Sequence, residues 1–282
     1  MKVTVLGSGS PEAYARRASS GYLVEVAGNR LLFDCGGGVF DNLLRAGHRP
    51  SEIDHLFFSH LHSDHMMDYA RLIHAAWEEA NPEIHVFGPH PIKDITKGYF
   101  GPDGVLAHDL RARTEFAPSQ EVWTARGGTL PRPWPAPIVQ EITPGFRYEG
   151  TGWRLSSCEV PHAQPHLACM AFRLECDGKS LVYSGDAGRC DALETLAQDA
   201  DLLIHWCYRL DGESADPVME RLSPTPSEIA DMAARVGVKR LVLSHFRTHM
   251  DAEGCHAAAL AAMAERFDGP ASIAEDLDSF TL

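Results

Sequence analysis

The sequence predicts an α/β layered fold built on two sheets, and three observations carry that prediction. Short apolar runs of strand length alternate with glycine turns from the first residues onward. Helix-length segments are interspersed among these runs instead of being gathered at one end. The same pattern resumes after an irregular middle segment, so both halves of the chain belong to one architecture. With 282 residues, 44% of them hydrophobic, the chain can bury one large core, and it reads as a single domain spanning 1–282.

Strands are expected at Val3–Leu6, Tyr22–Val26 and Arg30–Phe33, followed by a helix over Val39–Ala46 and an apolar strand within Ile53–Phe58. A helix is expected over Met66–Glu79, with Asp64 near its start, where a carboxylate suits unpaired backbone N–H groups. Residues 98–137 differ: prolines, Gly127-Gly128 and few apolar runs mark an inserted excursion, a lid or an oligomer contact. Strands return near Trp153–Val160, Met170–Leu174, Ser180–Tyr183, Leu202–His205 and Arg240–Leu243. A helix over Ser227–Val236 is opened by Thr225-Pro226 and closed by Gly237.

Composition excludes several classes. No run approaches the roughly 18 apolar residues of a membrane helix, and Met1–Ser10 lacks the apolar stretch of a signal peptide. A cytoplasmic protein with no membrane partner is expected. Seven cysteines, with no Cys-x-x-Cys pair, argue against a disulfide framework and a zinc ribbon. The formal net charge of −14 disfavours a nucleic-acid partner, because such proteins gain affinity by neutralising phosphates. A small-molecule substrate is expected instead.

The chemistry concentrates in His60-Leu61-His62-Ser63-Asp64-His65, directly after the strand within Ile53–Phe58. Residues two apart in extended chain face the same way, so His60 and His62 can share one ion. Asp64 and His65 can then reach a second. Imidazole with carboxylate suits zinc, with manganese or iron as alternatives. Three more predicted strands deliver a donor just past their ends: Pro161-His162, Ser184-Gly185-Asp186 and Ser244-His245. Open α/β architectures build sites in this way, on loops held by a rigid sheet.

The pattern His-x-His-x-Asp-His, then a His, an Asp in Ser-Gly-Asp and a late His resembles the metallo-β-lactamase fold. Leu6-Gly-Ser-Gly-Ser-Pro11, Phe33-Asp34-Cys35-Gly36 and Leu243-Ser-His245-Phe246 resemble its ribonuclease Z-like branch, over nearly the whole chain except 98–137. The resemblance implies an αββα sandwich of two mixed sheets flanked by helices. It implies that His60, His62 and His162 hold one divalent ion, that Asp64, His65 and His245 hold a second, and that Asp186 bridges them. Two cations sharing a hydroxide make a hydrolytic centre, with Asp64 positioning the nucleophile and Asp34 orienting a ligand from behind.

Two departures from ribonuclease Z proper bear on substrate. Its His-Glu-Ala-Thr motif is replaced by His205-Trp206-Cys207-Tyr208, and its His-x-Thr by Ser223-Pro224-Thr225, so an acid and a histidine of the proton relay are missing. A dinuclear hydrolase of small lactones, esters, amides or phosphoesters is therefore expected. A ribonuclease Z-type nuclease and a non-catalytic binding member of the fold are the alternatives. His166 and His205 are further catalytic candidates, His166 by its spacing from His162 and His205 by its strand end. The excursion also leaves room for a homo-oligomer.

Overall fold

The glycine-bounded apolar runs become fourteen strands in the computed structural model, which describes residues 1–79 and 83–282. The first six are β1 (Lys2–Gly7), β2 (Gly21–Val26), β3 (Asn29–Phe33), β4 (His55–Phe57), β5 (His85–Gly88) and β6 (Ile138–Glu141). There follow β7 (Arg147–Gly150), β8 (Trp153–Glu159), β9 (Met170–Cys176) and β10 (Lys179–Tyr183). The chain ends with β11 (Leu202–Trp206), β12 (Leu241–Ser244), β13 (Ala271–Ile273) and β14 (Ser279–Thr281).

They form two seven-stranded sheets, ordered β14-β1-β2-β3-β4-β5-β6 and β13-β12-β11-β10-β9-β8-β7. Both sheets are mixed in the same way. Three antiparallel pairings among β14, β1, β2 and β3 lead into parallel pairings through β6. In the other sheet, antiparallel pairings from β7 to β10 lead into parallel pairings through β13.

Three separate apolar cores identify four layers. One lies between the sheets, where Val5, Phe33 and Phe57 meet Phe172, Tyr183 and Ile204. The others lie outside each sheet, under helices: Leu32, Leu56 and Leu72 on one side, Leu203, Leu243 and Ile229 on the other. This is the αββα sandwich. Central strands are covered on both faces, which is why β11 reads as a continuous apolar run instead of alternating.

The helices are α1 (Val39–Arg45), α2 (Ser63–Met66), α3 (Tyr69–Glu78), α4 (Ile92–Phe100), α5 (Ala107–Thr114), α6 (Ala117–Ala125), α7 (Asp191–Ala197), α8 (Pro217–Leu222), α9 (Pro226–Arg235) and α10 (Cys255–Ala264). The single helix expected over Met66–Glu79 is broken between α2 and α3. Asp68 accounts for the break: its carboxylate accepts from the backbone N–H groups of Gly38 and Phe40 at 2.8 and 3.0 Å. The predicted excursion is helical and well attached. Phe100 and Leu110 enter the core outside the first sheet, and Trp77 Nε1 on α3 donates to the Pro133 carbonyl at 2.7 Å. No described helix is long and apolar enough to cross a membrane.

Candidate metal centre

The sheets meet the site at the carboxyl ends of their strands. His60, His62, Asp64 and His65 follow β4, His162 follows β8, Asp186 follows β10 and His245 follows β12. The fold thus brings all seven predicted donors together. His60, His62 and His162 form one cluster of converging donor atoms, Asp64, His65 and His245 form another, and Asp186 joins a third with His60 and His65.

The distances show what the clusters lack. His60 Nε2 and His62 Nδ1 are 3.0 Å apart, and His162 Nε2 lies 3.1 Å from the same His62 nitrogen. His245 Nε2 sits 3.1 Å from Asp64 Oδ2 and 3.3 Å from Asp186 Oδ2. His65 Nε2 and Asp186 Oδ1 are fully buried with no hydrogen-bond partner, although only 3.4 Å separates them. Buried polar atoms normally find partners. Three imidazole nitrogens crowded together, beside orphaned carboxylate and imidazole atoms, fit divalent cations bound between them.

Asp34 organises the donors from behind. Its carboxylate accepts from Ser59 N and Oγ at 2.7 Å, from His65 Nδ1 at 2.8 Å and from the Tyr183 hydroxyl at 2.6 Å. A carboxylate only accepts, so His65 Nδ1 carries a hydrogen and its Nε2 faces the cluster. Ser59 Oγ gives its hydrogen to Asp34, so it accepts from His60 Nδ1 at 3.0 Å and leaves His60 Nε2 bare. Asp34 and His245 both adopt left-handed backbone, φ 57° and 68°, a strained region for residues with a Cβ. Gly36 has its own reason: a Cβ there would lie 2.0 Å from the Asp64 carbonyl oxygen, so only glycine lets the two loops close.

Electrostatics agree with this arrangement. Burial alone would raise the Asp186 pKa, but His245 and His65 outweigh it and hold the carboxyl well below the usual range. Asp64 is also lowered: burial opposes ionisation, and the hydrogen bond from His245 overcomes it. Burial pushes His60 well down, towards the neutral form that ligates metal.

The mouth is an apolar pocket of about 240 Å³, in which Pro11, Trp206, Tyr208, Met219 and Leu222 surround the ligands. None of its lining residues comes from 98–137. The Trp206 ring packs 5.2 Å from His162 and 5.6 Å from His245. Sequence reasoning missed Tyr183 and Ser59 as partners of Asp34, although both sit within three residues of a predicted ligand.

Two predicted catalytic histidines are not brought to the ligands. His166 is exposed on the turn after His162 and makes no side-chain bond to the ligand set among the described residues. His205 is buried on β11 with its side chain turned towards the helices, because strand alternation gives the metal side to Trp206.

A family profile described as a beta-lactamase superfamily domain matches residues 29–246. The chain belongs to the metallo-β-lactamase superfamily. It is a metal-dependent hydrolase of that fold. Ribonuclease Z of Mycolicibacterium paratuberculosis is 32% identical over 87% of this chain and 86% of its own. Among solved structures, the metallo-beta-lactamase fold protein YhfI from Bacillus subtilis superposes with a TM-score of 0.76 at 20% identity, covering 99% of this chain and 98% of that one. The short form of human tRNase Z gives 0.71 at 20% identity, covering 100% and 99%.

The mycobacterial relative corrects one expectation, that of a small-molecule substrate with nucleic acid disfavoured. Net charge is a sum over the whole surface and does not locate charge at a site.

Proposed function

We propose that this chain is a ribonuclease Z-type phosphodiesterase that cleaves RNA at a dinuclear centre, with zinc the ion its donor set suits best. In this reading His60, His62 and His162 hold one ion, Asp64, His65 and His245 hold the other, and Asp186 reaches both. The observation that carries it is the convergence of seven donors, with His65 Nε2 and Asp186 Oδ1 buried and unpaired between the two clusters. The RNA substrate is supported by the 32% identity, over 87% of the chain, to an enzyme named ribonuclease Z.

When bound, the two cations supply Lewis acidity towards the phosphodiester and favour ionisation of the attacking water. The chain's own residues do the rest. Asp34 holds His65 directly and His60 through Ser59, so that their bare nitrogens stay aimed. Asp64, at the pocket wall, orients the attacking water and accepts its proton. Trp206, Met219 and Leu222 exclude bulk solvent from one side of the pocket. The leaving oxygen takes its proton from water at the open side of the pocket. Residues 98–137 form part of the single domain and supply neither metal donors nor pocket lining, so their excision should leave metal content unchanged.

The test is cleavage of a precursor tRNA and an unstructured RNA of equal length by the metal-loaded protein. Endonucleolytic cleavage that chelator abolishes and zinc restores is expected. Asp64→Asn should reduce it by roughly a hundredfold or more, as for loss of a main electrostatic contributor. Failure of the fully metallated wild type to cut either RNA overturns the proposal.

A further inference from the structure

The segment 98–137 builds, with the end of α3, a cavity of about 280 Å³ whose lining includes Glu78, Arg113, Arg126 and Arg132. It shares no residue with the metal pocket. Glu78 ends α3, about 14 Å along the helix axis from Tyr69, so the cavity stands well away from the ligands that precede that helix.

Arg132 is the unusual residue there. Its guanidinium lies 3.7 Å from the ring centroid of Trp77 and 4.4 Å from that of Trp123, so two indoles hold it. Trp77 is itself fixed, because its Nε1 donates to the carbonyl of Pro133, the residue after Arg132. Only 7% of the Arg132 side chain is exposed, yet its Nε and Nη2 are buried with no hydrogen-bond partner. One Glu78 oxygen approaches Nη2 at 3.3 Å without the alignment of a hydrogen bond, and the other is taken by Arg113 at 3.0 Å. A buried guanidinium normally has its donors satisfied.

The charge around it does not balance. Three arginines and a single carboxylate line the cavity. Arg113 is shared between Glu78 and Asp109, which reaches it from outside the lining. Even with Asp109 counted, one positive charge is in excess, and Arg126 is exposed without an ion pair among the described residues. The first turn of α6 adds to this excess. Pro118 and Ser119 of that turn line the cavity, and the Phe116 side chain before it gives no capping hydrogen bond. The open N–H groups of the turn leave partial positive charge at the same wall.

We propose that this cavity binds a phosphoryl group, carried by a free phosphate or by an RNA backbone. Arginine donors match phosphate oxygens in pairs, and helix N-termini take the same anion, so both walls suit one ligand. The phosphoryl group sits between Arg126 and Arg132, supplies the missing acceptor of the buried guanidinium and offsets the excess charge. Acetate fits less well, because it offers two oxygens where three groups of donors converge. The argument uses none of the metal ligands and holds whether or not that centre cleaves RNA.

The test is NMR titration of the zinc-loaded protein, read at the ¹⁵N-labelled Arg132 Nε–H. The probes are inorganic phosphate, acetate and a short RNA with phosphorothioate linkages that resist cleavage. A saturable shift with phosphate is expected, at least tenfold tighter than with acetate. Arg126→Glu, at an exposed position, should weaken phosphate at least tenfold while metal content stays unchanged, whereas Arg126→Lys keeps the charge and should retain most of the affinity. RNA that binds more tightly than phosphate, and loses that margin in Arg126→Glu, makes the backbone the source. RNA that binds no more tightly makes the source a free phosphate or phosphomonoester. No saturable shift with phosphate or RNA, equal affinity for acetate, or unchanged affinity in Arg126→Glu would overturn the proposal. RNA cleavage by the same preparations reads the metal centre separately, so either proposal can fail without the other.

Discussion

Two clusters of histidine and carboxylate in this molecule are equally compact, yet their chemistry differs. Asp251, His256 and Glu275 lie close enough together to hold a cation, as the seven donors at the strand ends do. In the first group, however, the cations are already part of the protein. Arg17 binds Asp251 through Nε at 2.6 Å and Nη2 at 2.7 Å, and also reaches Glu275 at 2.8 Å, where Arg16 joins at 2.7 Å. No side-chain atom of that group is buried without a partner. At the strand ends no arginine or lysine pairs with Asp34, Asp64 or Asp186 among the described residues, and buried donor atoms stay unmatched. Arg247, near the mouth, is engaged by Glu12 and Glu213. A donor set becomes a metal centre where the fold withholds its own positive charge.

The sharpest way to break this contrast is to remove one carboxylate from each cluster. Asp186→Asn should cost both ions and lower hydrolysis about a thousandfold, the upper range for a single electrostatic contributor. Asp251→Asn should leave metal content and hydrolysis unchanged, which elemental analysis and a cleavage assay would read side by side. Within the metal centre, His162→Ala and His245→Ala should each release mainly one ion, since they belong to different clusters. Loss of both ions from either variant would mean that the clusters act as one.

The arginine cluster should answer in stability instead. Arg17→Met leaves Asp251 buried without its main partner, and should lower unfolding free energy by about 3 kcal/mol in denaturant melts, with metal content intact. The smallest effect is a pH dependence. Burial raises the Asp251 pKa, but Arg17 outweighs it and brings the carboxyl down to about 2. A depressed folded pKa stabilises above the unfolded value, so this contribution, about 2 kcal/mol, is present above pH ~4 and fades as pH falls towards ~2. Asp251→Asn should flatten the wild-type stability curve in that window; an identical curve would contradict the assignment.

The same contrast explains what was legible in the sequence. The metal ligands could be read because each lies just past a strand, within a local run such as His60–His65, and Asp34 could be read from its own turn. The arginine cluster could not, because Arg17, Asp251 and Glu275 are joined only by tertiary folding. His205 was misplaced for a related reason. β11 is buried on both faces, so its composition does not say which side chains face the metals, and only the pairing with β10 and β12 decides it. The helices α5 and α6 were unread because they carry little apolar pattern: α6 buries none of its residues, and α5 buries only Ala107, Leu110 and Thr114. Edge strands such as β7, β13 and β14 span only three or four residues, too short to show a period.

The most direct measurement is anomalous diffraction at the zinc edge from crystals of the zinc-reconstituted protein. The account predicts two peaks per chain, one among His60, His62 and His162 and one among Asp64, His65 and His245, with Asp186 between them, and no peak at Asp251, His256 and Glu275. A single peak, no peak, or density at the arginine-neutralised cluster would contradict it.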